Sequence, residues 1–220
     1  MDINHVRKDI AFIFDLDGVI VDSNPVHLEV WREYLQNLGS TVDDKLPELM
    51  YGRRNDEIVR DLLGDTLTPE EIFAHGAAKE ALYRERMRPQ LKRRLVPGVI
   101  DFLERHASIP KGLATNAEPA NAEFVISEAG LSRFFQVVVD GHKVENPKPA
   151  PDIYLLAAAL LKKEPGECVV FEDSAAGIQA ARSAGMRVVA LSTTHSELEG
   201  PDLVVANFLA PELEAWLGTI

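Results

Sequence analysis

Cysteine is almost missing from this sequence: Cys168 is the only one in 220 residues. That excludes an intrachain disulfide and makes a reducing compartment, the cytoplasm, the expected location. Cys168 itself lies in an apolar run and reads as a small core residue. Positive charge is in short supply too. Lys and Arg number 23 against 35 Asp and Glu, a formal net charge of −12. This repels nucleic-acid backbones and anionic membranes at long range, so neither is expected as a partner. Long apolar runs are lacking. The best candidate, Ile10 to Phe14, is far too short for a membrane span or a signal-peptide core and runs straight into Asp15 and Asp17. No fixed-period repeat, low-complexity tract or Gly/Ser linker interrupts the chain. His5, His27, His75, His106, His142 and His195 show neither an HExxH nor a paired spacing, which argues against a zinc site. Apolar residues are present in ordinary amount, 46% of the chain, enough for one core and an accessory unit.

Two hydrophobic rhythms divide the chain. From Asn24 to about Gln90 the pattern predicts helices only, starting with Asn24 as N-cap and Pro25 at the first helical position. Val26, Val30, Tyr34 and Leu38 recur every four residues with Trp31 and Leu35 beside them, one apolar stripe of an amphipathic helix. Further helices are predicted over Asp56 to Leu63 and Pro69 to Met87, the latter with Thr68 as cap and Glu71 at the capping-box position. Outside this segment short apolar runs alternate with helical stretches. The runs are Ile10 to Phe14, Lys111 to Ala114, Gln136 to Val139, Cys168 to Phe171, Arg187 to Leu191 and Leu203 to Val205. The helical stretches are Val99 to Arg105, Ala120 to Ala129, Ile153 to Leu161 and Ala175 to Ala184. The expectation is an α/β fold, a Rossmann-like parallel sheet with helices on both faces, built from residues 1–23 and 91–220, with residues 24–90 as an inserted all-helical domain. Ligands of such sheets bind beyond the carboxyl ends of the strands.

Those ends carry the chemistry. The first run closes in Asp15-Leu16-Asp17-Gly18. Two carboxylates so close repel each other unless a cation or a proton separates their roles. One could attack phosphorus while the other carries a proton; both could equally cap a helix or face solvent. Thr115 and Asn116 follow the second run, where free backbone amides and a hydroxyl suit a phosphate oxygen or an ordinary turn. Lys148 sits among Pro147, Pro149 and Pro151, a stiff mount for a cation that neutralises charge. Glu172 and Asp173 end the fourth run and offer hard oxygen ligands of the kind Mg²⁺ prefers, with capping of the next helix by Asp173 or Ser174 as the plain alternative. Arg84, Arg86, Arg88, Arg93 and Arg94 form a basic stretch that reads as a solvated helix face able to steer anions.

Taken together, DLDGVIVDS at Asp15, LATN at Thr115, NPKPAPD at Lys148 and FEDSAAGIQAA at Glu172 resemble, in order and spacing, the haloacid dehalogenase superfamily of aspartate-nucleophile phosphotransferases. Within it the chain is most similar to the β-phosphoglucomutase-like and sugar-phosphate phosphatase branch. The resemblance implies that the helical insertion is a mobile cap. It implies Asp15 as nucleophile and Asp17 as general acid and base, with the Asp17 backbone carbonyl, Asp15, Glu172 and Asp173 around Mg²⁺. Thr115 and Lys148 would then hold the transferring phosphoryl group. A proton-carrying Asp17 speaks against the dehalogenase branch, whose halide leaves without one. His27, Trp31 and Lys79 match the mutase pattern in the cap, where a His and a Lys couple closure to binding. An exposed helix-start histidine and a solvated lysine are the plain alternatives. Two positions depart: Asn55 stands where the mutases carry a phosphate-gripping arginine, and Glu118 where they carry a lysine. Arg53 or Arg54 could compensate. Asn116, His27, Arg54 and Lys79 are the expected substrate-binding residues. The implied activity is a Mg²⁺-dependent phosphatase for small phosphate monoesters such as sugar phosphates, working as a monomer. Phosphomutase is the alternative, and a non-catalytic binding protein on the same fold the third.

Overall fold

A parallel sheet forms because the first five of six short apolar runs are separated by helices long enough to carry the chain back across it, and the stretch 192–202 leads from the fifth to the sixth. In the computed structural model, which describes residues 9–40, 46–50, 53–195 and 197–220, the strands are β1 (Ala11–Phe14), β2 (Lys111–Ala114), β3 (Val137–Val139), β4 (Cys168–Glu172), β5 (Arg187–Leu191) and β6 (Leu203–Val205). Their order is β3-β2-β1-β4-β5-β6, all parallel. Every predicted run is a strand to within a residue or two. His5 lies outside the described residues.

β1 has no polar alternation because it is covered on both faces: Ala11, Phe12, Ile13 and Phe14 are all fully buried. Phe12 and Phe14 point into a cluster with α5 (Val99–Arg105), α6 (Pro119–Glu128) and α9 (Pro211–Leu217). Phe14 stacks on Phe171 there at a centroid distance of 4.6 Å. Ala11 and Ile13 face the other way, toward α7 (Asp152–Leu160) and α8 (Ala175–Ser183). Each of these large apolar side chains contributes about 1.5–3 kcal/mol by leaving water. From β1 the chain builds β2 and β3 to one side and β4 to β6 to the other, so the strand order reverses at β1 and opens a crevice at its carboxyl end.

Between β1 and α5 stand α1 (Asn24–Asn37), α2 (Leu46–Met50), α3 (Asn55–Leu63) and α4 (Pro69–Met87), with no strand among the described residues. Trp31, Leu35, Met50, Ile58 and Ile72 give these helices a cluster of their own. Their sheet-proximal ends do not belong to it: Val26, Val30, Tyr83 and Met87 join the main core. Both α1 and α4 are thus packed into the core around the sheet. The Thr68–Glu71 capping box opens α4 as predicted.

Three expectations need correction. The N-cap of α1 is Ser23, not Asn24, so Pro25 falls one position later; neither residue caps with its side chain, because Ser23 and Asn24 both bond elsewhere. Leu38 is 46% exposed, since the helix ends at Asn37 and the stripe ends with it. Helices α2 and α9 were not predicted; the five residues of α2 are too few for a periodic signal.

Candidate active site

Four predicted residues meet at the carboxyl ends of β1 and β4. Lys148, buried by its proline-rich segment, donates through Nζ to Asp15 Oδ1 at 2.8 Å, Glu172 Oε1 at 2.6 Å and the Ala114 carbonyl at 3.1 Å. Glu172 is saturated: Oε1 also accepts from Tyr154 Oη at 2.7 Å, and Oε2 accepts from the Asp173 and Ser174 amides and the Ser174 hydroxyl at 2.9, 3.0 and 3.0 Å. Asp173 accepts from the Thr194 hydroxyl and from Asn24 Nδ2. Ser174 caps α8 through the Gly177 amide, so of the two proposed cap residues it is Ser174 that serves. Thr115 is buried at the end of β2, with Oγ1 accepting from the Ala117 amide at 3.1 Å, and Asn116 Oδ1 accepts from the Lys148 amide at 3.4 Å. A cavity of about 170 Å³ opens here, lined by Asp15, Asp17, Thr115 and Lys148 below and by His27 and Lys79 above.

Glycine makes the close approach possible. Gly18 adopts φ +75°, and a Cβ there would overlap the Asp173 carboxylate; a Cβ on Gly177 would overlap that of Glu172.

The electrostatics point to a cation. Burial, opposed by Lys148 and aided by Glu172 and Asp17, pushes Asp15 up to about 7. Burial with Glu172 and Asp15 nearby pushes Asp173 well above the carboxylate range. Glu172 stays low because Lys148, Tyr154 and the Ser174 amide outweigh its burial. Oxygens of Asp15, Glu172 and Asp173 lie within 4.8 Å of one another, so a single lysine faces three buried carboxylates. Such a surplus of hard, negative oxygen fits a small divalent cation such as Mg²⁺, which would draw both raised values down again.

Asp17 belongs to a second network. Its Oδ1 accepts from the Ser23 hydroxyl and lies 3.7 Å from His27 Nε2. Burial works to raise Asp17, but His27 and Ser23 outweigh it and hold the carboxyl below its ordinary value. His27 stacks on Tyr83 with centroids 3.8 Å apart, and its Nδ1 lies 2.8 Å from Lys79 Nζ. Lys79 is 2% exposed, so the solvated-face reading fails; the ammonium also donates to Glu80 Oε1 at 2.7 Å and lies 4.9 Å from the Trp31 ring centre. Glu80 went unnoticed in the sequence, where an acid beside a lysine looks like any polar helix face. It is buried and accepts from Asn55 Nδ2 at 2.7 Å and Asn121 Nδ2 at 2.6 Å. Asn121, Tyr154, Asn24 and Thr194 were missed for the same reason: nothing local marks them.

The arginines divide. Arg53 lines the cavity but is committed to Asp61, Glu57 and the Leu49 carbonyl. Arg54 also lines it and donates to the Gly141 carbonyl at 2.6 Å. The basic stretch is largely neutralised: Arg86 pairs with Glu33, Arg88 with Glu128 and Arg94 with Asp22, while Arg84 bonds Asn121. Its capacity to steer anions is correspondingly small.

Residues 11–185 match the family described as haloacid dehalogenase-like hydrolase. The chain belongs to that family. This hydrolase is 36% identical over 181 residues to the fructose-1-phosphate phosphatase YqaB of Escherichia coli, covering 81% of the chain and 94% of the relative. It is 31% identical over 205 residues to the β-phosphoglucomutase of Bacillus subtilis, covering 89% and 88%. Among solved structures, β-phosphoglucomutase from Clostridium difficile superposes with a TM-score of 0.83 at 29% identity, over 96% of this chain and 97% of that one. The chain is therefore an enzyme of the dehalogenase-like hydrolase fold with both phosphatase and phosphomutase kin.

Proposed function

We propose that this chain is a Mg²⁺-dependent phosphatase that hydrolyses small phosphate monoesters, sugar phosphates above all, through an aspartyl-phosphate. The carrying observation is the division of labour between Asp15 and Asp17. Lys148 holds one oxygen of Asp15 at 2.8 Å, at the strand-order reversal, while Asp17 sits in a separate network with Ser23 and His27. One Asp15 oxygen attacks phosphorus as the ester oxygen leaves with the proton of Asp17. Asp17, now a carboxylate, takes a proton from water, which attacks phosphorus and releases phosphate and free Asp15. The environment of Asp17 favours its anion, the form the second step needs; the negative charge of an arriving phosphate raises its proton affinity for the first. Thr115 and Lys148 hold the phosphoryl oxygens, and Asn116 borders them. Asp15, Asp173 and the Asp17 carbonyl would hold Mg²⁺, which supplies charge neutralisation; Glu172, its oxygens already engaged, contributes mainly charge.

In this reading residues 24–90 act as the cap over a core of residues 1–23 and 91–220. His27, Lys79 and Arg54 meet the sugar. Fructose-1-phosphate phosphatase among the relatives supports a sugar phosphate. No helix among the described residues is long and apolar enough to cross a membrane, and we place a monomer in the cytoplasm. Phosphomutase remains second, favoured by the His27–Lys79 contact and the mutase relatives. A panel of hexose and pentose phosphates, assayed for inorganic phosphate with and without Mg²⁺, tests the assignment. Metal-dependent release is expected; efficient isomerisation without release would transfer the assignment to the mutase.

A further inference from the structure

The two positions that depart from the mutase pattern touch each other. Asn55, at the start of α3, donates from Nδ2 to Glu118 Oε1 at 3.2 Å and to Glu80 Oε1 at 2.7 Å. Glu118 is the N-cap residue of α6 in the sheet domain, and Gly76 of α4 lies against it, where an added Cβ would be 3.6 Å from Glu118 Oε1. One turn along α6, Asn121 donates to Glu80 Oε2 at 2.6 Å and accepts from Arg84 Nη1 at 2.7 Å. Glu80 and Asn121 are each 3% exposed. Three bonds cross between the helical insertion and the sheet domain, Glu118 to Asn55, Glu80 to Asn121 and Asn121 to Arg84, and the bond from Asn55 to Glu80 ties two helices of the insertion together. They land on the helix that follows Thr115 and Asn116.

We propose that Asn55, Glu80, Glu118 and Asn121 form a built-in latch that closes the cap without a second phosphate, and that this selects monophosphates with a neutral polyol end. The proposal rests on the phosphatase reading for its substrate and deepens it. A cap that needs two cations to grip a distant phosphate closes only on a doubly phosphorylated ligand. Here the same station is filled by an amide and a carboxylate bonded to each other, so closure draws its free energy from the protein. A second phosphate would have to displace the Asn55–Glu118 bond and then face the Glu118 charge; a sugar hydroxyl can share it. Burial makes the inner pair strong, because charge-assisted bonds away from water gain more and leave an unsatisfied acceptor when broken. Glu80 is a positioning residue: it touches no reacting atom but holds Lys79 against His27.

Spin labels at two exposed sites, introduced as Asp65→Cys on the insertion and Glu145→Cys on the sheet domain, report the separation of the two parts without ligand. The labelled wild type should show one short distance that inorganic phosphate leaves unchanged. Asn121→Ala and Glu80→Gln should each shift the closing equilibrium about tenfold or more and broaden the distribution toward longer distances. KM for hexose monophosphates should rise by a similar factor, with kcat less affected. The double variant Glu80→Gln with Asn121→Asp exchanges donor and acceptor while keeping every bond of the inner pair, and should restore the short distance. A wild type that is open until phosphate is added overturns the latch, as does failure of the exchanged pair to restore closure when its melting temperature is that of the wild type. If the labels behave as expected but no sugar phosphate is hydrolysed, the phosphatase reading has failed and the latch stands.

Discussion

At the scale of single residues, the site depends on carboxylates held close together by one lysine and given room by two glycines. Asp15→Asn replaces the proposed nucleophile with a near-isosteric amide, so the fold should survive and turnover should fall by at least about 10³-fold. Phosphate release alongside a thermal melt checks both halves, and substantial residual Mg²⁺-dependent activity would remove Asp15 from its role. Gly177→Ala is a sharper case because two effects oppose. Helix propensity favours alanine by about 1 kcal/mol, yet the new Cβ would overlap the fully buried Glu172 carboxylate. The overlap should win, giving a net loss of about 1–3 kcal/mol in denaturant unfolding together with lost activity. A stabilised, active variant would show that Glu172 can move without consequence.

At the scale of elements, α4 is the structural beam of the insertion, and its two ends are secured differently. The Thr68–Glu71 capping box is exposed and local, so Thr68→Ala should cost about 1 kcal/mol, read from chemical unfolding, with little change in KM. Further along the helix Glu80 is secured by buried charge. Burial raises its proton affinity, but Lys79, His27 and Asn121 more than reverse this and hold it at about 2. Because the folded value is the lower one, the unfolded chain binds the proton first. The stabilisation is therefore complete above the ordinary value of 4.5 and drains away as pH falls toward about 2. Its size is on the order of 3 kcal/mol. Glu80→Gln should flatten the stability profile over that window relative to wild type; parallel profiles would show that Glu80 does not titrate with folding.

At the scale of the whole molecule, the proposed function has metal and cap acting together on one phosphoryl group. Chelation should abolish phosphate release and Mg²⁺ restore it, whereas Ca²⁺, with its larger and looser coordination, should not. Activity persisting in strong chelator would contradict the Mg²⁺ assignment. Wild type should give net phosphate with little conversion of β-glucose 1-phosphate to glucose 6-phosphate, even with a bisphosphate activator. Replacing the internal bond by cations, through Asn55→Arg with Glu118→Lys, should raise isomerisation relative to hydrolysis. An unchanged product ratio would mean that the distal clamp does not decide between water and sugar as acceptor.

Asp15, Thr115 and Glu172 were legible in the sequence because strand ends are marked locally, by a short apolar run that stops at a polar residue, and Lys148 because prolines surround it. The same short-range signals, period and capping chemistry, determined the strands, the long helices and the start of α4. What joins Asn24 to Thr194 across 170 positions, or Asn55 to Glu118 across 63, has no local mark. Only the tertiary structure decided that Lys79 is buried beside Glu80, that Arg53 is occupied while Arg54 reaches across to Gly141, and that two separate departures from the mutase pattern are one contact. The physical reason is range: propensity and periodicity act over a few residues, whereas burial and charge pairing depend on which surfaces the folded sheet and its helices bring together.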